Sequence, residues 1–288
     1  MIIMLKVLIL AVIQGATELL PVSSSAHVIV AERLMGLDPT KPQMTLLLVM
    51  LHTGTMFAVI VFFWNSWRNS FFKTQKDLGD SVKLLFAATI TTGIAGLILK
   101  FVIEKVLLKG VAHPEIEQLF GNLPLIASAL ACVGILILWA GYVENGQSRQ
   151  RSPLGLGSAI LIGMVQGVCL PFRGFSRSGA TISTGLILRV EKRRLEDFSF
   201  ALAVILTPPV ILREVLRLVK SQHHLLHHGS GMMPIFALSL IGMVLSFISG
   251  FFALKWLSSW LEGGRWYLFG IYCLCASIVI FFLHAQGY

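Results

Sequence analysis

The residues best suited to chemistry lie in the stretch QGATELLPVSSSAH, from Gln14 to His27. Gln14 and Glu18 are four residues apart, so a helix presents both side-chain oxygens on one face, where they can ligate a divalent cation. Ser24 and His27 are three residues apart, so hydroxyl and imidazole can meet on the first turn of the next helix. The spacing therefore predicts a cation-binding pair beside a nucleophile and its base.

A second stretch, GFSRSGATIS, places Arg177 among small and hydroxyl-bearing residues. Small residues let backbone N–H groups approach a ligand, and a helix that begins here directs its positive end at an anion. Arginine adds a planar donor fork that matches phosphate oxygens. We interpret the stretch as an anion site in which Arg177 stabilises charge. The residues expected to contact substrate beside it are Ser176, Ser178, Gly179 and Thr181.

Together the two stretches supply what phosphoryl transfer from a diphosphate requires, because that chemistry depends mostly on positioning and charge neutralisation. Serine taken singly is equally well explained by helix capping or close packing. Glu18 and Arg177 differ, since a charge at membrane depth costs about 2.5–3.5 kcal/mol and indicates function. The spacing leaves open whether Ser24, an activated water or His27 attacks the phosphorus.

Composition places these stretches in a membrane. Of the 288 residues, 56% are hydrophobic and 13% charged, whereas soluble domains carry about 25% charged residues. The sequence therefore predicts a single integral membrane domain over residues 1–288. The net charge of +9 is typical of loops beside anionic headgroups, and no motif predicts a nucleic-acid partner. The four cysteines lie in apolar stretches and are interpreted as structural.

Long apolar runs define the elements that must position the site. Runs of about 20 residues are needed to span a bilayer, and six are present: 44–64, 82–103, 119–142, 198–218, 233–256 and 265–284. Two further apolar regions, 2–35 and 154–190, are interrupted by Pro, Gly and Ser. The pattern predicts an all-α polytopic membrane protein with six transmembrane helices and two re-entrant helix pairs.

The two interrupted regions also resemble each other. When Gln14 is aligned with Gln166, Ser24 aligns with Ser176, each serine ten residues after its glutamine. The two glutamines are 152 residues apart, about half the chain. Corresponding Pro/Gly-interrupted segments in two halves are typical of an inverted-topology internal repeat with a site at its interface. The predicted repeat halves are about 1–145 and 150–288.

The stretches TELLPVSSSAH and GFSRSGATIS resemble the two signature motifs of the undecaprenyl-diphosphate phosphatase family, the bacitracin-resistance type. The similarity continues through LHTGTMFAVIVFFW and EDFSFALAVILTPP, so it covers nearly the whole chain. It implies hydrolysis of undecaprenyl (C55) diphosphate to the monophosphate, which recycles the lipid carrier of peptidoglycan synthesis and gives bacitracin resistance. It also implies inverted repeats, a Mg²⁺ or Ca²⁺ cofactor, and a multi-pass protein of the bacterial inner membrane whose active site faces the periplasm.

The family's functional positions map onto this chain residue by residue. The second acidic position of the first motif matches Glu18, the essential serine matches Ser24, and the histidine matches His27. The arginine of the second motif matches Arg177. On this basis these four residues are the expected catalytic set, with Glu18 also a metal ligand. The flanking serines expected to contact substrate are Ser23 and Ser25.

Two positions depart from the family pattern. The first acidic position is often glutamate, but here it is Gln14, whose amide oxygen can still ligate a cation with less charge. The second motif usually has Pro-Gly before the aromatic residue, but here Arg173 occupies the proline position and a proline occurs earlier, at Pro171. We therefore expect a displaced bend, with Arg173 as an added phosphate contact.

Other polar residues receive structural interpretations. His52, inside a span, is expected to be a hydrogen-bonded histidine rather than a catalytic one.

A lipid flippase is the alternative function, because inverted repeats with broken helices are typical of transporters. The sequence is compatible with a monomer and with a homodimer.

Four histidines are expected to lie near headgroups without a role in the site: His223, His224, His227 and His228. Three charged residues are expected to pair with one another at the end of a span: Arg213, Glu214 and Arg217.

Overall fold

The computed structural model describes residues 2–38, 42–107, 119–145, 151–222 and 232–288. Within these ranges the regular elements are all helices, apart from one isolated bridge between Ser152 and Val190. A π-helical turn, Ile103–Leu107, extends the fourth helix. The helices are α1 Ile2–Leu19, α2 Ser24–Leu34, α3 Pro42–Ser70, α4 Gln75–Val102, α5 Leu123–Asn145, α6 Leu156–Cys169, α7 Arg177–Ile187, α8 Lys192–Gln222, α9 Met232–Glu262 and α10 Tyr267–Ala285.

Six helices of the described ranges are long and apolar enough to cross a membrane: α3, α4, α5, α8, α9 and α10. Each overlaps one of the six runs that the sequence indicated over most of its length, so the prediction of six spans is confirmed. Large apolar side chains such as Phe86, Leu97 and Phe101 of α4 are exposed, as expected of groups that face lipid. The protein is therefore a multi-pass membrane protein.

The two interrupted regions each fold as two short helices joined by an irregular turn. In the first, α1 ends before Pro21, which lacks an N–H and cannot continue a helical ladder. Ser23 then caps α2 by accepting a hydrogen bond from the Ala26 N–H at 3.4 Å. In the second, Ser176 caps α7 by accepting from the Gly179 N–H at 3.3 Å. The predicted interruptions are thus confirmed, and each is set by proline and a serine cap.

Close packing at glycine holds the short helices against the long ones. A Cβ at Gly15 of α1 would lie 2.5 Å from the Ser246 carbonyl oxygen of α9. A Cβ at Gly163 of α6 would lie 2.3 Å from the Ala88 carbonyl oxygen of α4. Without a hydrophobic driving force between helices in lipid, such backbone approach supplies van der Waals contact. These contacts position the two turns on which the site is built.

We expect Gly163→Ala to destabilise the fold, because its methyl group meets the backbone of α4 at Ala88 as well as the Thr91 hydroxyl. Overpacking of this kind costs about 1–3 kcal/mol and lowers the thermal unfolding temperature of the detergent-solubilised protein. Gly157→Ala is the matched control on the same helix, since a Cβ there meets nothing within 4 Å. Equal melting temperatures for the two variants would contradict the close contact between α4 and α6.

Candidate functional site

A cavity of about 1040 Å³ lies where the two helix starts meet the long helices. Its walls come from α1, α2, α3 and α8, together with the turn that precedes α7. Nine of the residues singled out in the sequence line it. They are Gln14, Glu18, Ser23, Ser24, Ser25, Arg173, Ser176, Arg177 and Ser178. The structure thus gathers most of both stretches around one space.

The Glu18 carboxylate is the centre of the polar wall. Its Oε2 accepts hydrogen bonds from the Ser24 hydroxyl at 2.5 Å and the Gln14 side-chain amide at 3.0 Å. Its Oε1 accepts from the Arg177 guanidinium at 3.4 Å. The His52 Nε2 lies 3.8 Å from Oε2. Because Arg177 belongs to the second stretch, this one carboxylate joins the two halves of the site.

Further hydrogen bonds hold the two helix starts against each other. The Gly174 N–H donates to the Ser25 hydroxyl at 3.4 Å, and the Ser178 hydroxyl donates to the Leu20 carbonyl at 3.2 Å. Gly174 has a φ of 102°, and a Cβ there would lie 2.3 Å from the Ile126 carbonyl oxygen. Only glycine fits this turn, which brings the start of α7 to the cavity.

Both α2 and α7 begin at the cavity, so both direct the positive ends of their dipoles and their unpaired N–H groups toward it. The cap of α2 is strained, because Ser23 has a φ of 67°, an unfavourable conformation for a residue with a Cβ. Such strain persists only where surrounding contacts enforce it. Two helix N-termini beside Arg177 make the cavity suited to an anion.

His27 does not meet Ser24 as the spacing indicated, and it does not line the cavity. Its Nδ1 lies 2.8 Å from the Ser23 carbonyl oxygen, and its Nε2 lies 2.7 Å from the Tyr272 hydroxyl of α10. The two rings also stack, with centroids 5.6 Å apart. The first-turn residue Ser24 leans back toward α1 and reaches Glu18 instead. The Ser24 hydroxyl is therefore hydrogen-bonded to the Glu18 carboxylate and not to His27.

Gly179 and Thr181 also lie outside the cavity wall. The Thr181 hydroxyl lies 2.6 Å from the Ser199 hydroxyl of α8 and also donates to the Arg177 carbonyl at 2.9 Å. A Cβ at Gly179 would lie 3.2 Å from the Pro21 carbonyl oxygen. The structure thus gives both residues packing contacts behind the wall, where they support the start of α7.

Arg173 lines the cavity with its guanidinium 4.3 Å from the centre of the Phe120 ring. A cation over an aromatic face is attracted by the ring quadrupole, so this contact holds Arg173 at the wall. Glu214 of α8 lines the cavity as well, although the sequence indicated only an interfacial pair. The side chains of Arg213 and Arg217, and all of residues 223–231, lie outside the described residues.

His52 lines the cavity, a position that the sequence interpretation did not predict. It lies on α3, with its Nδ1 2.8 Å from the Leu48 carbonyl oxygen, so the expected hydrogen bond is present. The ring nevertheless faces the cavity together with Thr45, Leu48 and Val49. These positions follow the i, i+3, i+4, i+7 spacing of one helical face. The sequence does contain a signal for this polar face, because Thr45 and His52 are two polar residues seven positions apart in an apolar span.

The family model described as bacitracin resistance protein BacA matches residues 7–279. The chain is 55% identical to Undecaprenyl-diphosphatase 2 of Acinetobacter baylyi, over 96% of each chain. It is 33% identical to Undecaprenyl-diphosphatase 2 of Burkholderia ambifaria, over 96% of each chain. It is 30% identical to Undecaprenyl-diphosphatase of Parabacteroides distasonis, over 95% of this chain and 96% of the relative.

We expect the cavity to bind inorganic diphosphate through Arg177. Arg177→Lys keeps the charge but loses the planar fork, so the dissociation constant should rise at least about tenfold, the equivalent of one charge-assisted hydrogen bond. Isothermal titration calorimetry with Mg²⁺ present measures this. Arg265→Lys is the control, because Arg265 is exposed and lines no part of the cavity. An unchanged dissociation constant in Arg177→Lys would contradict the assignment of Arg177 as a bidentate ligand of the diphosphate.

Proposed function

Because the chain belongs to the bacitracin resistance protein BacA family, we propose that it hydrolyses undecaprenyl diphosphate to undecaprenyl phosphate and inorganic phosphate. The observation that carries the proposal is the Ser24 hydroxyl bonded to the Glu18 carboxylate opposite Arg177 at the cavity wall. A hydroxyl on a carboxylate beside a cationic anion clamp is a site for phosphoryl transfer. The names of the relatives agree with this chemistry.

Each polar residue of the cavity wall has its own role in the proposed reaction. Ser24 Oγ attacks the terminal phosphorus while Glu18 takes its proton, and the bond from that phosphorus to the bridging oxygen breaks. Undecaprenyl phosphate leaves, and water then hydrolyses the phosphoserine to release inorganic phosphate. Arg177 and the N-terminus of α7 stabilise the charge on the phosphoryl oxygens. The hydroxyls that bind the remaining oxygens are those of Ser23, Ser25, Ser176 and Ser178.

His27 has a supporting part in this scheme. It ties the strained Ser23 backbone to Tyr272 of α10 and so holds Ser24 at the start of α2. Direct attack by His27, or by a water that it activates, is the competing assignment. Arg173, stacked on Phe120, adds a second cation for the diphosphate in the same cavity.

The surroundings of the cavity fit a lipid diphosphate. Apolar side chains also line the cavity, among them Val28, Ile29, Leu48, Val210 and Ile211. These can cover the first prenyl units while the diphosphate occupies the polar part. A substrate held in the bilayer also suits a protein with six apolar helices. We place this activity in the bacterial inner membrane, with the site toward the periplasm, where it serves peptidoglycan synthesis and bacitracin resistance.

A divalent cation fits the donors present, but only with help from substrate. Glu18 and Gln14 are hydrogen-bonded neighbours on α1, and a carboxylate has lone pairs beyond those that the Ser24 hydroxyl uses. Within the described residues no cluster of three or more His, Cys, Asp or Glu is formed. Mg²⁺ is commonly held by one or two carboxylates with substrate phosphates completing the shell. When bound, the cation supplies charge neutralisation of the diphosphate.

An inverted internal repeat with re-entrant helix pairs remains part of the proposal. Both α2 and α7 have 11 residues and begin after a serine cap. The α1–α9 contact at Gly15 has a counterpart in the α6–α4 contact at Gly167, the residue aligned with it, where a Cβ would lie 2.7 Å from the Thr92 carbonyl oxygen. These correspondences support the repeat. They also pair Ser23 with Ser176 as caps, one residue away from the alignment of Ser24 with Ser176.

The flippase alternative receives less support. Transport of a lipid phosphate needs an anion site but no hydroxyl bonded to a carboxylate, as Ser24 is to Glu18. The relatives are named as diphosphatases. Phosphate release from undecaprenyl diphosphate by the purified protein in detergent tests the proposal directly, and absence of release would overturn it.

We expect Ser24→Ala and Glu18→Gln each to lower kcat at least about 100-fold, since each removes half of a nucleophile–base pair. The double variant should be little slower than either single one, because residues that act as a unit are not additive. His27→Ala should cost less in kcat and more in melting temperature. Ser128→Ala, at an exposed position of α5, is the control. Substantial activity in folded Ser24→Ala protein would defeat its assignment as nucleophile.

We expect EDTA to abolish phosphate release and Mg²⁺ or Ca²⁺ to restore it, because the cation offsets diphosphate charge. Gln14→Glu should bind the cation at least as tightly as the original protein, since it adds a negative donor. Calorimetry measures that affinity. Full activity in EDTA would remove the cation from the mechanism, and weaker binding by Gln14→Glu would show that residue 14 is not a ligand.

A further inference from the structure

The His52 ring is oriented by its own helix. Its Nδ1 lies 2.8 Å from the Leu48 carbonyl oxygen, and a carbonyl can only accept a hydrogen bond, so the proton of the neutral ring is on Nδ1. This leaves a lone pair on Nε2. The side chain is 36% exposed and lines the cavity, so the lone pair is accessible to a ligand there.

The His52 Nε2 faces the Glu18 carboxylate, with 3.8 Å between Nε2 and Oε2. Oε2 also accepts the Gln14 amide hydrogen bond, and a cation between Oε2 and Nε2 would take the place of that bond and hold both atoms favourably. Donors that bind one ion at about 2.0–2.2 Å each lie at most about 4.4 Å apart, so the observed separation accommodates a shared ion. An Nδ1–H bonded to a backbone carbonyl is also the usual outer-shell arrangement of metal-binding histidines.

We propose that His52 Nε2 is a direct ligand of the divalent cation, together with Glu18, and that the site therefore accepts a divalent transition-metal ion such as Mn²⁺ in preference to Ca²⁺. Imidazole suits transition metals, whereas Ca²⁺ takes oxygen ligands. The neutral amide at Gln14 favours the same choice, because it offers a hard cation less charge than glutamate. The inference rests on the proposed function, since the diphosphate oxygens complete the coordination shell.

An imidazolium–carboxylate ion pair is the competing account of the same geometry. It places a second proton on Nε2 and binds no metal there. The two accounts differ in one observable, which is whether a histidine nitrogen is bonded to the ion. Pulsed electron paramagnetic resonance of bound Mn²⁺ detects a directly coordinated ¹⁴N as an echo modulation, independently of turnover.

The experiment uses full-length, untagged protein stripped of metal in detergent. Every sample carries glutamine at four positions of the HHLLHH stretch, because its i, i+4 histidine pairs offer a competing metal site. These substitutions are made at His223, His224, His227 and His228. Mn²⁺ is added with and without methylenediphosphonate, which resembles the diphosphate but is not hydrolysed.

We expect ¹⁴N modulation in this background, and its replacement by the ¹⁵N pattern when histidine is isotopically labelled. His52→Gln should lose the modulation and raise the Mn²⁺ dissociation constant at least about tenfold, with a smaller change for Ca²⁺. His284→Gln, at an exposed position near the end of α10, should change neither. The labelling result needs no substitution in the site, so it holds even if His52→Gln does not fold.

Three results would overturn the proposal: Mn²⁺ bound without nitrogen modulation, modulation that persists in His52→Gln, or no Mn²⁺ bound with or without the diphosphonate. Phosphate release from undecaprenyl diphosphate is measured on the same preparations. Absence of release both from the preparation that retains His52 and from protein without any substitution would overturn the proposed function while leaving the coordination result standing. The failure of either proposal is thus distinguishable from the failure of the other.

Discussion

The Glu18 carboxylate, placed among apolar helices, is the constraint on which the site depends. A charge at that depth is costly unless it is paired and hydrogen-bonded. Gln14 and Ser24 supply hydrogen bonds from the same stretch of chain, and Arg177 supplies the opposite charge from a stretch that begins half a chain later. The pairing therefore joins the two helix turns into one cavity wall, and the same contacts create the arrangement that can react with a diphosphate.

The irregular turns before α2 and α7 are stable in a membrane protein only because protein surrounds them. Non-helical backbone in a bilayer must be satisfied by other protein groups or by water in a cavity. The bonds from Gly174 to Ser25 and from Ser178 to Leu20 meet that need between the turns. Glycine contacts such as Gly163 against α4 bring the supporting helices close enough to enclose them. The packing of the helices therefore also sets the geometry of the site.

Family membership and geometry contribute different parts of the functional argument. The matched family and the named relatives indicate the reaction and the lipid substrate. The geometry supports the proposed roles of its residues: Glu18 is bonded to the Ser24 hydroxyl, and His27 links α2 to α10. The glutamine at position 14 and the arginine at position 173 are departures from the motif pattern. Both line the cavity, so both can change how cation and phosphate are held.

The sequence by itself determined the membrane class, the six spans and the two interruptions, because apolar run length and proline position act locally. It also singled out Glu18 and Arg177, since the cost of a charge in lipid depends on the residue type and its depth. Tertiary structure alone decided the partners. The spacing allows the Ser24 hydroxyl to contact His27. In the structure, His27 instead contacts the hydroxyl of Tyr272, 245 residues away, and Ser24 donates a hydrogen bond to Glu18. Thr181 turned toward Ser199 of α8 and away from the cavity. His52 reached Glu18 only through the packing of α3 beside α1. Periodicity states which residues share a helical face, whereas the neighbour that covers that face is chosen by packing across the whole chain.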